Sequence, residues 1–359
     1  MTIVIQGINY NLDNFLFKNI ILRENSLSYQ PISDFLTKWI SGGKDFEIRS
    51  SGSTGEPKLI VLKRKWLETS ALQTIQLLNL WEENVLCCIP THKIGGLMML
   101  VRALAGGFDI QIDEPKSDPM KEIDTFHSFT FVSLVSSQLV SILKSDSSIA
   151  KLNRFKNILL GGSEISSELM NKLENLTPNI YHTYGMTETC SHIALKKLNN
   201  GPWLHFKPNP YVELKTNENQ LLSIKGFQTG CEWINTNDVV NLYVDGSFDF
   251  IGRADFVINT GGYKIFPEQL ELKIKAIFNN LNWQSEAIIT SHPHELWGEE
   301  VVLIITTNLP HQPKEILAML KPSLEKFELP KRVLQMESIP YNGGGKIDRR
   351  QLKQMTSSD

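Results

Sequence analysis

Three times between Leu59 and Asn175, a short apolar run leads through a tight turn into a helical pattern. "LIVL" precedes "WLETSALQTIQLLNLW", "FTFVSLV" precedes "SSQLVSILK", and "FKNILLGG" precedes "SEISSELMNKLEN". In the first of these helices Leu67, Ala71, Ile75 and Leu78 fall on one face, and each helix is expected to open on a polar N-cap. Repeated strand–turn–helix units specify an α/β layer, with ligand loops at the carboxyl ends of the strands. The pattern changes after about Gly201. "LLSIKG" and "VVNLYVDGSFDFIGR" alternate with period two, and Asp245-Gly246 marks a hairpin turn. Beyond Arg253, Pro267 can open a helix that carries Leu270, Ile274 and Ile277 on one face. Two strands, "EAIIT" and "EVVLIIT", and a helix near "KEILAML" complete an α+β unit. The predicted architecture is an α/β large domain over 1–254, with layered α/β subdomains and a small β subdomain, followed by a small α+β domain over 255–359.

A chain of 359 residues is long enough for two such domains. A net charge of −3, with no basic stripe, excludes a nucleic-acid footprint. The run Lys63-Arg64-Lys65 reads as a solvated face. "MTIVIQGINYNLDNF" lacks the basic and apolar regions of a secretory leader, and "GGLMMLVRALAGG" is too short to span a bilayer and carries Arg102 at its middle. The expectation is a soluble, cytoplasmic protein without membrane insertion; oligomeric state is not readable. Cys87, Cys88, Cys190 and Cys231 show neither C-x-x-C spacing nor a paired His cluster, which argues for reduced, mostly buried thiols.

The stretch "RSSGSTGEPK", Arg49 to Lys58, packs glycines, hydroxyls and a lysine together. Glycines let backbone N–H groups converge on one concavity, hydroxyls add donors, and Lys58 adds a point charge, so the loop suits a phosphate chain. It is not a Walker A loop, because Gly52 and Gly55 are three apart and Pro57 precedes Lys58. Alone, it also fits a plain Ser/Gly turn. Four further stretches bear on the choice: "YHTYGMTET", Tyr181 to Thr189; "TNDVV" with Asp238; "GRADFVINTGGYKIFPEQLE"; and "NGGGKIDRRQL", with Lys346 in a glycine-rich turn.

In their order these five stretches resemble the adenylate-forming superfamily of acyl-CoA synthetases, peptide-synthetase adenylation domains and luciferases. The resemblance runs from about Arg49 to Leu352. It implies that Ser51, Gly52, Ser53, Thr54, Gly55 and Lys58 hold the β- and γ-phosphates of ATP. Tyr184 would stack on adenine beside Gly185, Thr187 would hydrogen-bond the α-phosphate, and Glu188 would ligate Mg²⁺. Gly161, Gly162 and Ser163 match the turn beside the adenine, with Gly161 on the substrate side. Asp238 would accept both ribose hydroxyls, Arg253 would also contact the ribose, and Asp255 falls at the hinge between the two domains. Lys346 matches the catalytic lysine that bridges the substrate carboxylate and the α-phosphate. After rotation of the mobile small domain, Gly261 and Gly262 would line the path of the CoA pantetheine. These residue types suit the reaction the resemblance implies, because a carboxylate attacking a polyanion needs charge neutralised and both reactants held.

"CIPTHKIGGLMMLVRALAGG" resembles the superfamily segment in which His92 sits beside the acyl pocket and thiol tunnel. Arg102, inside an otherwise apolar helix, either snorkels to the surface or is buried to meet an anion. In this segment the chain looks like the o-succinylbenzoate–CoA ligases of menaquinone biosynthesis, whose aromatic substrate carries a second carboxylate. Two departures stand out: few residues precede the phosphate loop, so the amino-terminal region looks shortened, and Asn237 replaces the usual glycine before Asp238. Other readings stay open: another aryl- or acyl-CoA ligase, an enzyme that loads a carrier protein, or a non-catalytic nucleotide- or acyl-adenylate-binding protein.

Overall fold

The computed structural model describes residues 1–5, 8–11, 30–49, 58–123, 128–162, 165–283, 285–306, 311–341 and 347–357. Along the first part run β1 (Thr2–Ile5), β2 (Ile8–Asn11), α1 (Gln30–Ile40), β3 (Asp45–Arg49), β4 (Leu59–Lys63), α2 (Arg64–Leu77), β5 (Asn84–Cys87), α3 (Ile94–Gly106) and β6 (Asp109–Ile112). Next come β7 (Phe131–Val135), α4 (Ser136–Ile142), α5 (Asp146–Leu152), β8 (Asn157–Gly161), α6 (Ser167–Leu173), β9 (Asn179–Met186), β10 (Ser191–Lys197) and β11 (Lys207–Pro208). Among the described residues these strands build a nine-stranded sheet in the order β11-β10-β9-β8-β7-β5-β6-β1-β2. The run from β9 through β8, β7, β5 and β6 to β1 is parallel, and antiparallel strands close both edges.

The central strands read as continuous apolar runs because both faces are covered. Period-two alternation sorts their side chains: Val85, Cys87, Phe131 and Leu159 pack with α1, α2 and α3, whereas Leu86, Cys88, Val132, Leu134, Ile158 and Leu160 pack with α4, α5 and α6. The predicted face of α2 is buried as expected, with Leu67, Ala71, Ile75 and Leu78 all in the core. Two local expectations need correcting. "LIVL" forms β4, which pairs with β3 in a separate two-stranded antiparallel sheet instead of joining the parallel one. A polar cap opens α6, where Ser166 accepts from the Leu169 N–H, but Lys63 before α2 makes no side-chain cap bond and α4 follows Val135 directly. There the Gln138 side chain reaches back to accept from the Val135 N–H.

β12 (Glu213–Thr216), β13 (Leu221–Lys225), β14 (Ile234–Leu242) and β15 (Phe248–Arg253) form a four-stranded antiparallel sheet, with Gly246 at positive φ in the predicted hairpin turn. The remainder comprises β16 (Ile258–Thr260), β17 (Tyr263–Ile265), α7 (Pro267–Asn280), β18 (Ala287–His294), β19 (Gly298–Ile305), α8 (Pro313–Leu320), β20 (Arg332–Gln335) and α9 (Arg349–Ser357). Its strands make one sheet with an apolar core of its own, around Leu270, Ile274, Val301 and Leu303. No helix is long and apolar enough to cross a membrane among the described residues.

Candidate active site

Because β5, β8 and β9 are parallel members of one sheet, their carboxyl ends share an edge. His92 follows β5 just before α3, Gly161 and Gly162 end β8, and Tyr184, Gly185, Thr187 and Glu188 lie at the end of β9 and in the short 3₁₀ turn after it. The fold therefore gathers three stretches that lie far apart along the chain. His92 is exposed, and burial, then Lys93, lowers its pKa. Gly185 is dictated by close approach: a Cβ there would lie 2.1 Å from the Ser191 carbonyl oxygen on the neighbouring strand.

Asp238 and Arg253 are directly paired across β14 and β15. Asp238 is buried and accepts from the Tyr184 hydroxyl at 2.6 Å and from Arg253 Nη1 at 3.1 Å. Arg253 also donates to both oxygens of Asp255, from Nε at 3.1 Å and Nη2 at 2.9 Å. One hydrogen-bonded line thus joins the end of β9 to Asp255. Burial, then the Asp238 carboxylate, pushes the Tyr184 phenol well above its usual pKa. Burial works against the Arg253 cation, but Asp255 and Asp238 outweigh it and raise its pKa. The Tyr184 ring meets Phe248 edge-on at 5.0 Å, so the core of the β subdomain supports it from one side. Asn237 sits exposed within β14 and leaves the Asp238 pairing intact.

Arg102 does not snorkel: it lies on α3 at 1% exposure. Among the described residues its contacts are soft or neutral: Met99 Sδ at 3.8 Å, Ser191 Oγ at 3.4 Å and His192 Nδ1 at 3.3 Å, while Nε has no partner there. Burial depresses its pKa to about 9. A buried cation served only by neutral groups is costly unless an anion joins it. This one lies against β10, directly after the Thr187–Thr189 turn. Sequence reasoning missed His192, because a histidine three residues past the motif reads as any strand residue.

Gly261 and Gly262 turn the chain from β16 into β17, both at positive φ, a conformation that favours glycine. Lys58 is described and exposed. Ser51, Gly52, Ser53, Thr54, Gly55, Ser163 and Lys346 lie outside the described residues. Three of the four cysteines are buried as expected, Cys231 is exposed, and burial pushes the Cys87 thiol up to about 12, which keeps it inert. Among the described residues no group of three or more His, Cys, Asp or Glu gathers to cage a metal.

Comparisons with known proteins agree with this arrangement. A family model described as AMP-binding enzyme matches residues 48–223. A 2-succinylbenzoate--CoA ligase of Staphylococcus aureus (strain MSSA476) is 27% identical, the match covering 84% of this chain and 65% of the relative. The chain thus spans about 65% of the length of the curated relatives it matches. The fold is shared with o-succinylbenzoate CoA synthetase of Bacillus subtilis, solved with its acyl-adenylate intermediate: TM-score 0.73 at 22% identity, over 86% of this chain and 68% of that one. An acyl-CoA synthetase (AMP-forming)/AMP-acid ligase II-like protein of Dyadobacter fermentans DSM 18053 is 33% identical, with a TM-score of 0.61, over 94% of this chain and 97% of that one. With the strand-end loops in their places and a relative matched along nearly its whole length, the chain belongs to the AMP-binding, adenylate-forming enzyme family.

Proposed function

We propose that the protein is an AMP-forming acid–thiol ligase that joins an acid to ATP as an acyl-adenylate, releasing pyrophosphate, and then transfers the acyl group to CoA, releasing AMP. The observation that carries this reading is the shared sheet edge that brings His92, Gly161, Gly162, Tyr184, Thr187 and Glu188 together, with Asp238 tied to Tyr184 beside it. Tyr184 stacks on the adenine with Gly185 beside it. Asp238 keeps lone pairs for ribose hydroxyls while holding its two donors, and Arg253 assists there. Thr187 binds the α-phosphate. Ser51 to Gly55 and Lys58 hold the outgoing phosphates, Ser163 closes the turn after Gly162, and Lys346 bridges the two reactants.

Glu188 suits Mg²⁺. The absence of an all-protein cage among the described residues fits an ion held by one carboxylate together with substrate phosphates. Mg²⁺ would supply neutralising charge on the phosphate chain.

The acid we propose is o-succinylbenzoate, which would place the protein in menaquinone biosynthesis. Buried Arg102, without a carboxylate partner among the described residues, supports an aromatic acid with a second carboxylate, and the names of the curated relatives support the same choice. We further propose that the chain divides at Asp255 into a large part and a mobile part, with Gly261 and Gly262 passing pantetheine and His92 facing the acyl group.

The deciding experiment is pyrophosphate release with ATP, Mg²⁺ and CoA across o-succinylbenzoate, benzoate, 4-coumarate, a medium-chain fatty acid and no acid. CoA-dependent release with o-succinylbenzoate alone is the expected result. Release with a different acid would overturn the substrate, and silence with every acid would overturn the ligase reading for this panel.

A further inference from the structure

Ser191 and His192 reach Arg102 from an unusual piece of backbone. Cys190 and Ser191 both sit at positive φ, +52° and +87°, which non-glycine residues rarely adopt. The pairing of β9 with β10 then slips between His192 and Ala194, a bulge of the kind that re-aims side chains. Flanking elements hold this stretch in place. Ser70 on α2 donates to the Cys190 carbonyl at 2.7 Å, and Asn209 donates to the His192 carbonyl at 3.2 Å. Backbone strain so firmly supported is a mark of functional sites.

The hydrogen bonds have one possible direction. A guanidinium only donates, so His192 Nδ1, 3.3 Å from Arg102 Nη2, must be the bare acceptor. A neutral imidazole then carries its proton on Nε2, which lies 3.1 Å from Thr74 Oγ1 and donates to it. The Thr74 hydroxyl, its lone pair used, donates in turn to the Ser70 carbonyl at 3.0 Å. The line Arg102 to His192 to Thr74 to Ser70 thus ties α3, β10 and α2 together. A protonated His192 would point a donor at a donor, beside a cation. Among the described residues Arg102 is the charged group that bonds to this line, while the buried Cys190 thiol turns away to the Gln228 carbonyl, and burial, then Arg102, holds the imidazole well below its usual pKa.

We propose that His192 is a positioning residue: as a neutral Nε2–H tautomer it fixes the direction of the Arg102 guanidinium, leaving Nε–H for an anion and making the site selective for an acid that carries a second carboxylate. This rests on the reading of Arg102 given under the proposed function. The sequence motif ends at Thr189 and assigns His192 nothing.

Two measurements separate the inference from that reading. With ¹⁵N-histidine labelling, the signal lost in His192→Gln should report a protonated Nε2 and a bare Nδ1 from pH 5 to pH 8. An Nδ1–H tautomer or an imidazolium would overturn the proposal whatever the acid. In steady-state kinetics, His192→Leu should raise KM for o-succinylbenzoate about tenfold, the order expected for loosening a hydrogen bond to a charge. Its kcat, and its KM for the monocarboxylate benzoate, should stay within about twofold, a change too small to signal a lost contact. His192→Gln should recover most of the loss, because its amide both accepts and donates. A rise in both KM values alike, or no recovery with Gln, would make His192 merely structural. Arg102→Ala is the control: equal effects on both acids would fail the dicarboxylate reading, whereas a selective effect there and none in His192→Leu would fail the positioning role. Thr74→Val, which removes the acceptor of the His192 Nε2–H, provides a second route to the same selective KM rise should His192→Leu not fold.

Discussion

Asp238 holds two donors of its own chain, Tyr184 and Arg253. Removing the hydroxyl in Tyr184→Phe leaves a buried carboxylate oxygen short of a donor, so we expect a loss of about 1–3 kcal/mol in urea unfolding. The KM for ATP should rise as well, since Asp238 would no longer be aimed. A stability loss without any change in KM for ATP would place Tyr184 in the core alone. His192 gives a pH prediction with a definite sign. Unfolded, its imidazole takes a proton near the ordinary 6.5; folded, it stays neutral to lower pH. The unfolded state therefore binds more protons below 6.5, and stability falls as pH drops through that range, by up to about 1.4 kcal/mol per unit for this one group. His192→Gln should flatten the unfolding free energy between pH 6.5 and pH 5 relative to the parent. Parallel curves would contradict the neutral state.

Among the elements, β9 and β10 set the most exacting geometry. Their contact at Gly185 leaves no room for a methyl group, with the Ser191 oxygen 2.1 Å from where a Cβ would sit. Gly185→Ala must push the two strands apart. We expect a cost of about 1–3 kcal/mol by thermal or urea unfolding, together with weakened nucleotide and acid binding, because the same shift displaces Tyr184 and His192. Normal stability and normal KM values would show that the bulge absorbs the methyl. The element also shows where sequence patterns stop. The strand ending at Met186 and its motif were legible, but the slip between His192 and Ala194 depends on how a second strand docks.

For the whole molecule, the sheet built from β16 to β20 has its own core and its own polar clamp. Arg349 on α9 makes two 2.8 Å bonds to Glu271 on α7 and a third to the Ile289 carbonyl on β18 at 3.1 Å. Arg349→Ala would strand the buried Glu271 charge at a cost of about 3–5 kcal/mol. If 255–359 is a separate folding unit, calorimetry should show one transition lowered and another unchanged, the unchanged one still raised by ATP. A single transition lowered as a whole would join the two parts into one cooperative unit.

By itself the sequence determined the βα order, the burial of the α2 face, the switch to antiparallel sheet after Gly201 and the α+β unit beyond Arg253. All of these follow from local periodicity and from turn chemistry at glycine and proline, which act within a few residues. The strand-end positions of Gly161, Gly162 and Tyr184 were legible for a related reason: each directly follows or ends a run that reads as a strand. Tertiary structure alone decided that β4 leaves the main sheet, that Gln138 stands in for a polar cap on α4, and that Asp238 is already tied to Tyr184 and Arg253. It also decided that Arg102 is buried, without a carboxylate partner among the described residues, and meets His192, 90 positions further along the chain. Desolvation and cross-strand register are properties of the packed molecule, so no local pattern encodes them.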